Sequence, residues 1–196
     1  MPQNNMPQKF VIGITGISGS GTSTVANILA KHDWHVINAD KLAHVAIQEG
    51  AYNEIINTFG NAVVFPSGEI NRKELGNIVF NAPALLAKLE SIVHPIVIDA
   101  IKQEMADHSH VVIDAPMLIE SGLHHICTVV WLVTASNERR ISRITQRDGI
   151  TPELALRRIS SRKSEEFLCK HAHHIFDNTA GIAQLEEAVL KELKSL

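Results

Sequence analysis

Between Lys9 and Ile28 the chain reads KFVIGITGISGSGTSTVANI. Phe10, Val11, Ile12 and Ile14 make a short apolar run suited to a buried parallel strand. Gly16, Gly19 and Gly21 follow among small residues, and Val25, Ile28 and Leu29 then recur at helical spacing. Glycines allow the backbone to curl until several amides face one point, and the helix start adds its own N–H groups there. An anion belongs at that point, most naturally the phosphates of a nucleotide. Set against G-x-x-x-x-G-K-[ST], the chain has Gly16, Gly21, Thr22 and Ser23, so threonine stands where the pattern has lysine. Ser23 keeps the hydroxyl that the pattern puts on magnesium, while the ammonium that reaches the β- and γ-phosphates is missing.

Further strands are expected at Trp34–Asn38, His110–Asp114, Ile126–Val133 and His174–Asn178. Asp40 follows the second strand, at the sheet edge where open α/β folds bind ligands; it serves as a base or substrate-orienting group, or as a helix N-cap. Asp114 closes the third strand in the manner of a Walker-B acid, or caps the next turn. From Pro116 to Glu120 an apolar shelf ends in a charge; it lines a substrate cleft or belongs to the core. The stretch between the second and third strands is mainly helical and too long for one crossover, so it reads as a lobe. Within it a helix starts at Asn81-Ala82-Pro83, and His94-Pro95 is expected to kink or break it. Arg139, Arg143 and Arg147 share one face of a helix over Ser136–Arg147. Gly149 ends that helix, and Thr151-Pro152 starts a second basic one with Arg157, Arg158, Arg162 and Lys163. Three arginines on one face are either solvated or a clamp on transferring phosphate, and the helix pair resembles a mobile lid.

The 196 residues suit one compact domain or a domain with an inserted lobe, and 45% apolar residues support a core. No apolar run approaches the roughly 20 residues of a membrane span. Residues 1–8 are polar, lack a signal region and read as a disordered lead-in. A net charge of −3 argues against a nucleic-acid partner. Cys127 and Cys169, far apart and outside any CxxC, suggest a reducing, cytoplasmic setting. His171, His173 and His174 lie near Cys169, but no second cluster stands at zinc-site spacing, so they are taken as ordinary histidines.

The ordered motifs resemble the dephospho-coenzyme A kinase family over nearly the whole chain. They are the glycine loop, N-A-D-K-L-A-H at Asn38–His44, N-R-K-E-L at Asn71–Leu75, I-V-H-P at Ile92–Pro95 and D-A-P-M-L-I-E at Asp114–Glu120. Q-R-D-G-I-T, R-I-S-S-R and F-D-N follow. The resemblance implies an α/β P-loop kinase core with a five-stranded parallel sheet, forming one domain over 9–196. A helical substrate lobe at about 41–108 and a small helical lid at about 139–170 belong to it. It implies phosphorylation of the ribose 3′-hydroxyl of dephospho-coenzyme A by ATP with Mg2+, giving coenzyme A and ADP, in a protein with a small-molecule substrate and no nucleic-acid or membrane partner; it leaves the oligomeric state open. Carried over by position, Asp40 orients or deprotonates that hydroxyl. Gly16, Ile17, Ser18, Gly19, Ser20, Gly21, Thr22, Ser23 and Thr24 hold the ATP phosphates, with Ser23 and Asp114 at the metal. Arg143 and Arg147 reach across from the lid. Arg72, His94, Pro116, Leu118 and Glu120 lie around the acceptor, and Asn178 faces adenine.

Two departures stand out. The family's loop lysine is Thr22 here, and the glutamine of its R-I-x-x-Q segment is Arg162. One consequence is that Arg162 or another lid arginine takes over the phosphate contact. Two alternatives to an active kinase of this family follow: a catalytically weak nucleotide- or coenzyme A-binding protein, and a kinase of another nucleoside or nucleotide.

Overall fold

The computed structural model describes residues 9–80, 82–160 and 163–196. The lead-in 1–8, the helix-start residue Asn81 and the compensating cation expected at Arg162 lie outside the described residues. In chain order the first elements are β1 (Phe10–Gly16), α1 (Thr22–Ala30), β2 (His35–Asn38), α2 (Ala39–Gln48), α3 (Tyr52–Phe59), α4 (Arg72–Val79) and α5 (Pro83–Met105). Then come β3 (His110–Asp114), β4 (Val129–Thr134), α6 (Asn137–Asp148), α7 (Pro152–Ser160), α8 (Glu165–Cys169), β5 (His174–Asp177) and α9 (Ile182–Leu193). They form two compact units, one holding the chain up to Ile37 with Asp107–Leu196, the other Asn38–Ala106.

Among the described residues the five strands make one parallel sheet in the order β2-β3-β1-β4-β5. The apolar run of β1 is buried from Val11 onward because both faces of a central parallel strand are covered. On one face Ile12, Ile14, Trp131, Val133 and Phe176 pack with Val25, Leu29, Leu185 and Val189 of α1 and α9. Trp131 and Phe176 meet edge to face at 5.0 Å, the arrangement that ring quadrupoles favour. Register pairs Ile14 with Asp114 and Gly16 with Val133, so the carboxyl ends of β1, β3 and β4 finish side by side. The sheet order reverses beside β1, which makes the crevice beyond its carboxyl end the ligand-binding position of an open α/β sheet.

The fourth strand differs from its expected bounds. Ile126 ends a 3-10 turn over Leu123–Ile126, and the strand starts at Val129. The bonds that bring the chain onto β1 come from Thr128: its N–H donates to the Val11 carbonyl, and its hydroxyl accepts from the Val11 N–H.

In the second unit the side chains of Asn38 and Asn71 cap α2 and α4, accepting from the N–H groups of Lys41 at 2.9 Å and Glu74 at 3.2 Å. Gln48 acts as one ladder rung for Ile70, donating to its carbonyl and accepting from its N–H. The expected break at His94-Pro95 does not occur. Helix α5 runs unbroken through Pro95, and Ile92, Val93, Val97, Ile101 and Met105 stay buried along one stripe. Burial of that stripe outweighs the one backbone bond a proline removes, and Pro95 itself lies exposed. No described helix is long and apolar enough to cross a membrane.

Candidate functional site

Strand β1 delivers the chain to Gly16, and the loop turns back before α1 starts at Thr22. The Ser20 N–H donates to the Ile17 carbonyl at 3.0 Å, tightening the turn. A Cβ on Gly16 would lie 2.5 Å from the Val133 carbonyl oxygen, and Gly19 and Gly21 adopt φ of 82° and 105°. Only glycine fits these positions without strain. No side chain caps α1, and its first turn carries no acidic residue, so the helix start is open to an anion. Ser23 lies exposed one residue inside α1 and donates its hydroxyl to Asp114 Oδ2 at 3.1 Å. Asp114 is only 4% exposed. Two residues 91 positions apart thus present hard oxygen atoms together at the mouth of the loop. Thr22 is half-buried with its methyl beside Gly16.

The back of this loop is held by two other elements. Arg143 of α6 donates through Nη1 to the carbonyls of Gly19 at 3.2 Å and Ser20 at 3.1 Å, and through Nη2 to the Asn178 carbonyl at 2.9 Å. Asn178, 2% exposed at the end of β5, donates Nδ2 to the Ser20 carbonyl at 2.8 Å. Burial, with Arg139 nearby, holds the Arg143 guanidinium below its ordinary pKa. Sequence reasoning missed Arg140. It is 7% exposed, donates to Asn137 Oδ1 at 2.6 Å and lies 3.3 Å from Glu165, while its backbone packs on Gly19. A buried arginine next to a row of three exposed or half-buried ones has no signature in helical spacing.

Arg147 grips its neighbour Asp148 with two bonds, at 2.7 and 2.9 Å, and Arg158 of α7 bonds the same carboxylate. These bonds, with the charges of both arginines, hold the Asp148 carboxyl below its usual range. Arg139 is exposed. On the far side of β3, Pro116 accepts from the Thr15 hydroxyl at 3.2 Å, and Glu120 is half-buried. Leu118 corrects the expectation of an acceptor contact. It is fully buried, and its Cδ2 would lie 2.7 Å from a Cβ on Gly13, so it fills the core under β1. Of the shelf, the Leu118 side chain belongs to the core.

In the second unit, Asp40 is the second residue of α2 and is exposed. The cap is Asn38, so the N-cap alternative for Asp40 does not hold. His44 lies one turn further along, and its Nε2 accepts from Arg72 at 2.5 Å. Burial first, then the Arg72 charge, hold the His44 pKa below its ordinary value, with Asp40 opposing. The i,i+4 spacing of Asp40 and His44 was the signal for this second residue. His94 is half-buried on α5.

Among the described residues no group of three or more His, Cys, Asp or Glu side chains is placed to hold a metal ion. His173 bonds the backbone of Val130 on both sides, and His174 pairs with Glu192 at 3.1 Å.

Comparison with known proteins adds a family. A family profile described as dephospho-CoA kinase matches residues 10–184. The dephospho-CoA kinase of Dehalococcoides mccartyi is 35% identical over 185 residues, covering 91% of this chain and 93% of the relative. The crystal structure of TT1252 from Thermus thermophilus superposes with a TM-score of 0.86 at 34% identity, covering 96% of this chain and 98% of that one. A dephospho-CoA kinase from Campylobacter jejuni gives 0.62 at 26% identity, covering 95% and 97%.

Proposed function

The chain belongs to the dephospho-CoA kinase family, and from that premise we propose that it transfers the γ-phosphoryl group of ATP to the ribose 3′-hydroxyl of dephospho-coenzyme A. The products are coenzyme A and ADP. The observation that carries this reading is the Ser23–Asp114 pair at the mouth of a glycine loop that ends on an uncapped helix.

The backbone from Gly16 to Thr24 surrounds the ATP phosphates. A hydroxyl and a carboxylate are the oxygen donors that Mg2+ prefers, so Ser23 and Asp114 fit that ion. When bound, Mg2+ neutralises charge on the β- and γ-phosphate oxygens. Asp40 accepts the 3′-hydroxyl proton as the hydroxyl oxygen bonds to the γ-phosphorus and the bond to ADP breaks. Freedom from capping duty leaves its carboxylate available for this work. Arg72, His94, Pro116 and Glu120 bind the acceptor, and Arg147 supplies a cation from α6. The neutral form of His44 suits its place as acceptor for Arg72, which fixes the direction of the guanidinium. The two cysteines are free thiols, consistent with a reducing cytoplasm.

The test is ADP release with ATP, Mg2+ and dephospho-coenzyme A, with the product mass checked. Asp40→Asn is expected to bind ATP normally and lose at least about a hundredfold in kcat. Equal turnover by the variant excludes a chemical role for Asp40. No phosphorylated product from the native protein excludes the kinase reading.

A further inference from the structure

The carbonyls of Gly19 and Ser20 are each held by side chains from other elements. The Ser20 oxygen accepts from both Arg143 Nη1 and Asn178 Nδ2. A trans peptide is rigid and planar, with C=O and N–H opposed. Fixing the Ser20 carbonyl therefore fixes the Gly21 N–H on the opposite side. Fixing the Gly19 carbonyl does the same for the Ser20 N–H, which closes the turn on Ile17. The two glycines are fitted to this grip as well as to their positive φ. A Cβ on Gly19 would lie 2.8 Å from the Arg140 carbonyl oxygen, and one on Gly21 would collide with Asn178 Nδ2.

We propose that Arg143 and Asn178 form a clasp behind the phosphate loop, acting as positioning residues through the Gly19 and Ser20 carbonyls and not on the nucleotide itself. Arg143 also donates to the Asn178 carbonyl, so each member holds the other in place and the clasp works as one unit. The donors are already committed before any nucleotide arrives. The loop is thereby pre-organised, and its ordering cost is met during folding and not on binding. This inference rests on the phosphate-loop reading above and reassigns two residues within it.

The experiment measures affinity for Mg2+-ATP and for Mg2+-tripolyphosphate, which lacks adenine, by calorimetry. It uses the native protein, Arg143→Met, Arg143→Lys, Asn178→Ser and the Arg143→Met/Asn178→Ser pair, together with kcat at saturating ATP. Each single variant is expected to weaken both ligands by about tenfold, the scale of a lost buried hydrogen bond. The double variant is expected to lose little beyond the worse single one, since the two act as a unit. Lysine keeps the charge but cannot span three carbonyls, so Arg143→Lys is expected to behave like Arg143→Met. Full recovery by lysine overturns the proposal. So does an Asn178→Ser protein that loses ATP and keeps tripolyphosphate, which marks an adenine contact. A hundredfold loss in kcat for Arg143→Met with affinities intact marks a contact to the transferring phosphoryl group and overturns it too. Should Asn178→Ser fail to fold, the Arg143 variants decide alone, because their side chain is half-exposed. A native protein that binds neither ligand overturns the phosphate-loop reading instead.

Discussion

Thr22 stands at the first position of α1, where its short side chain lies beside Gly16 and ends far short of a lysine's reach. Phosphoryl transfer depends on positioning and on stabilising charge spread over the phosphate oxygens. Removing one well-placed donor costs about 3 kcal/mol, or about a hundredfold in rate. Thr22→Lys is therefore expected to raise kcat by about a hundredfold at saturating ATP, measured by steady-state ADP release. An unchanged rate would show that another cation already fills the role. At this scale the sequence was readable where a residue's duty is local. Gly16, Gly21 and Ser23 follow from a short motif. It was ambiguous for Asp40, because aspartate both caps helices and takes protons. Asn38 takes the cap, which removes one of the two readings, and only the backbone geometry two residues upstream shows which side chain accepts the Lys41 N–H.

The Asp148 carboxylate ties α7 to α6. Asp148 accepts both bonds of Arg147 from within α6 and a third from Arg158 on α7. Its pKa is lower in the folded chain than its ordinary value of 3.8. A depressed carboxylate pKa stabilises the fold fully above the unfolded value, and this contribution disappears as the pH falls through the folded value. Arg147 is largely exposed, so solvent screening limits the whole tie to about 1 kcal/mol or less. Asp148→Asn is thus expected to lower Tm slightly at pH 6 and low salt, with the gap to the native protein narrowing as the pH falls below the ordinary carboxylate value. Thermal unfolding from pH 6 into the acid range tests it, and a gap that does not narrow at all as the pH falls excludes the titration. Helix spacing predicted these elements well: Gly149 ends α6 with φ of 64°, and the Thr151 hydroxyl accepts from Leu154 at the start of α7. Of the two outcomes expected at Pro95, the break does not occur, since a local rule for proline does not count the buried stripe on the other side of α5.

Binding of nucleotide and metal to the folded chain alone raises its stability by mass action. At Mg2+-ATP concentrations a hundredfold above Kd the gain is about 2.7 kcal/mol. For a chain of this size that is a rise of about 5–10 °C in Tm. On the proposal that Ser23 and Asp114 supply oxygens to the ion, chelation with EDTA or Ser23→Ala is expected to remove much of the rise, as thermal shift would show. A shift insensitive to both would mean that the pair does not hold metal. The sequence by itself determined the kind of fold. Short apolar runs alternating with helical stripes commit the chain to a layered α/β core, and the glycine loop commits it to an anion at one strand end. Those signals are periodic or contiguous, so they survive in one dimension. The tertiary structure decided the order β2-β3-β1-β4-β5, the pairing of Ser23 with Asp114 across 91 positions, and the attachment of Arg143 and Asn178 to loop carbonyls more than 120 positions away. Each of these needs segments far apart in sequence to meet at a specific register. Hydrogen-bond direction and close packing at glycine select that register, and neither leaves a pattern along the chain.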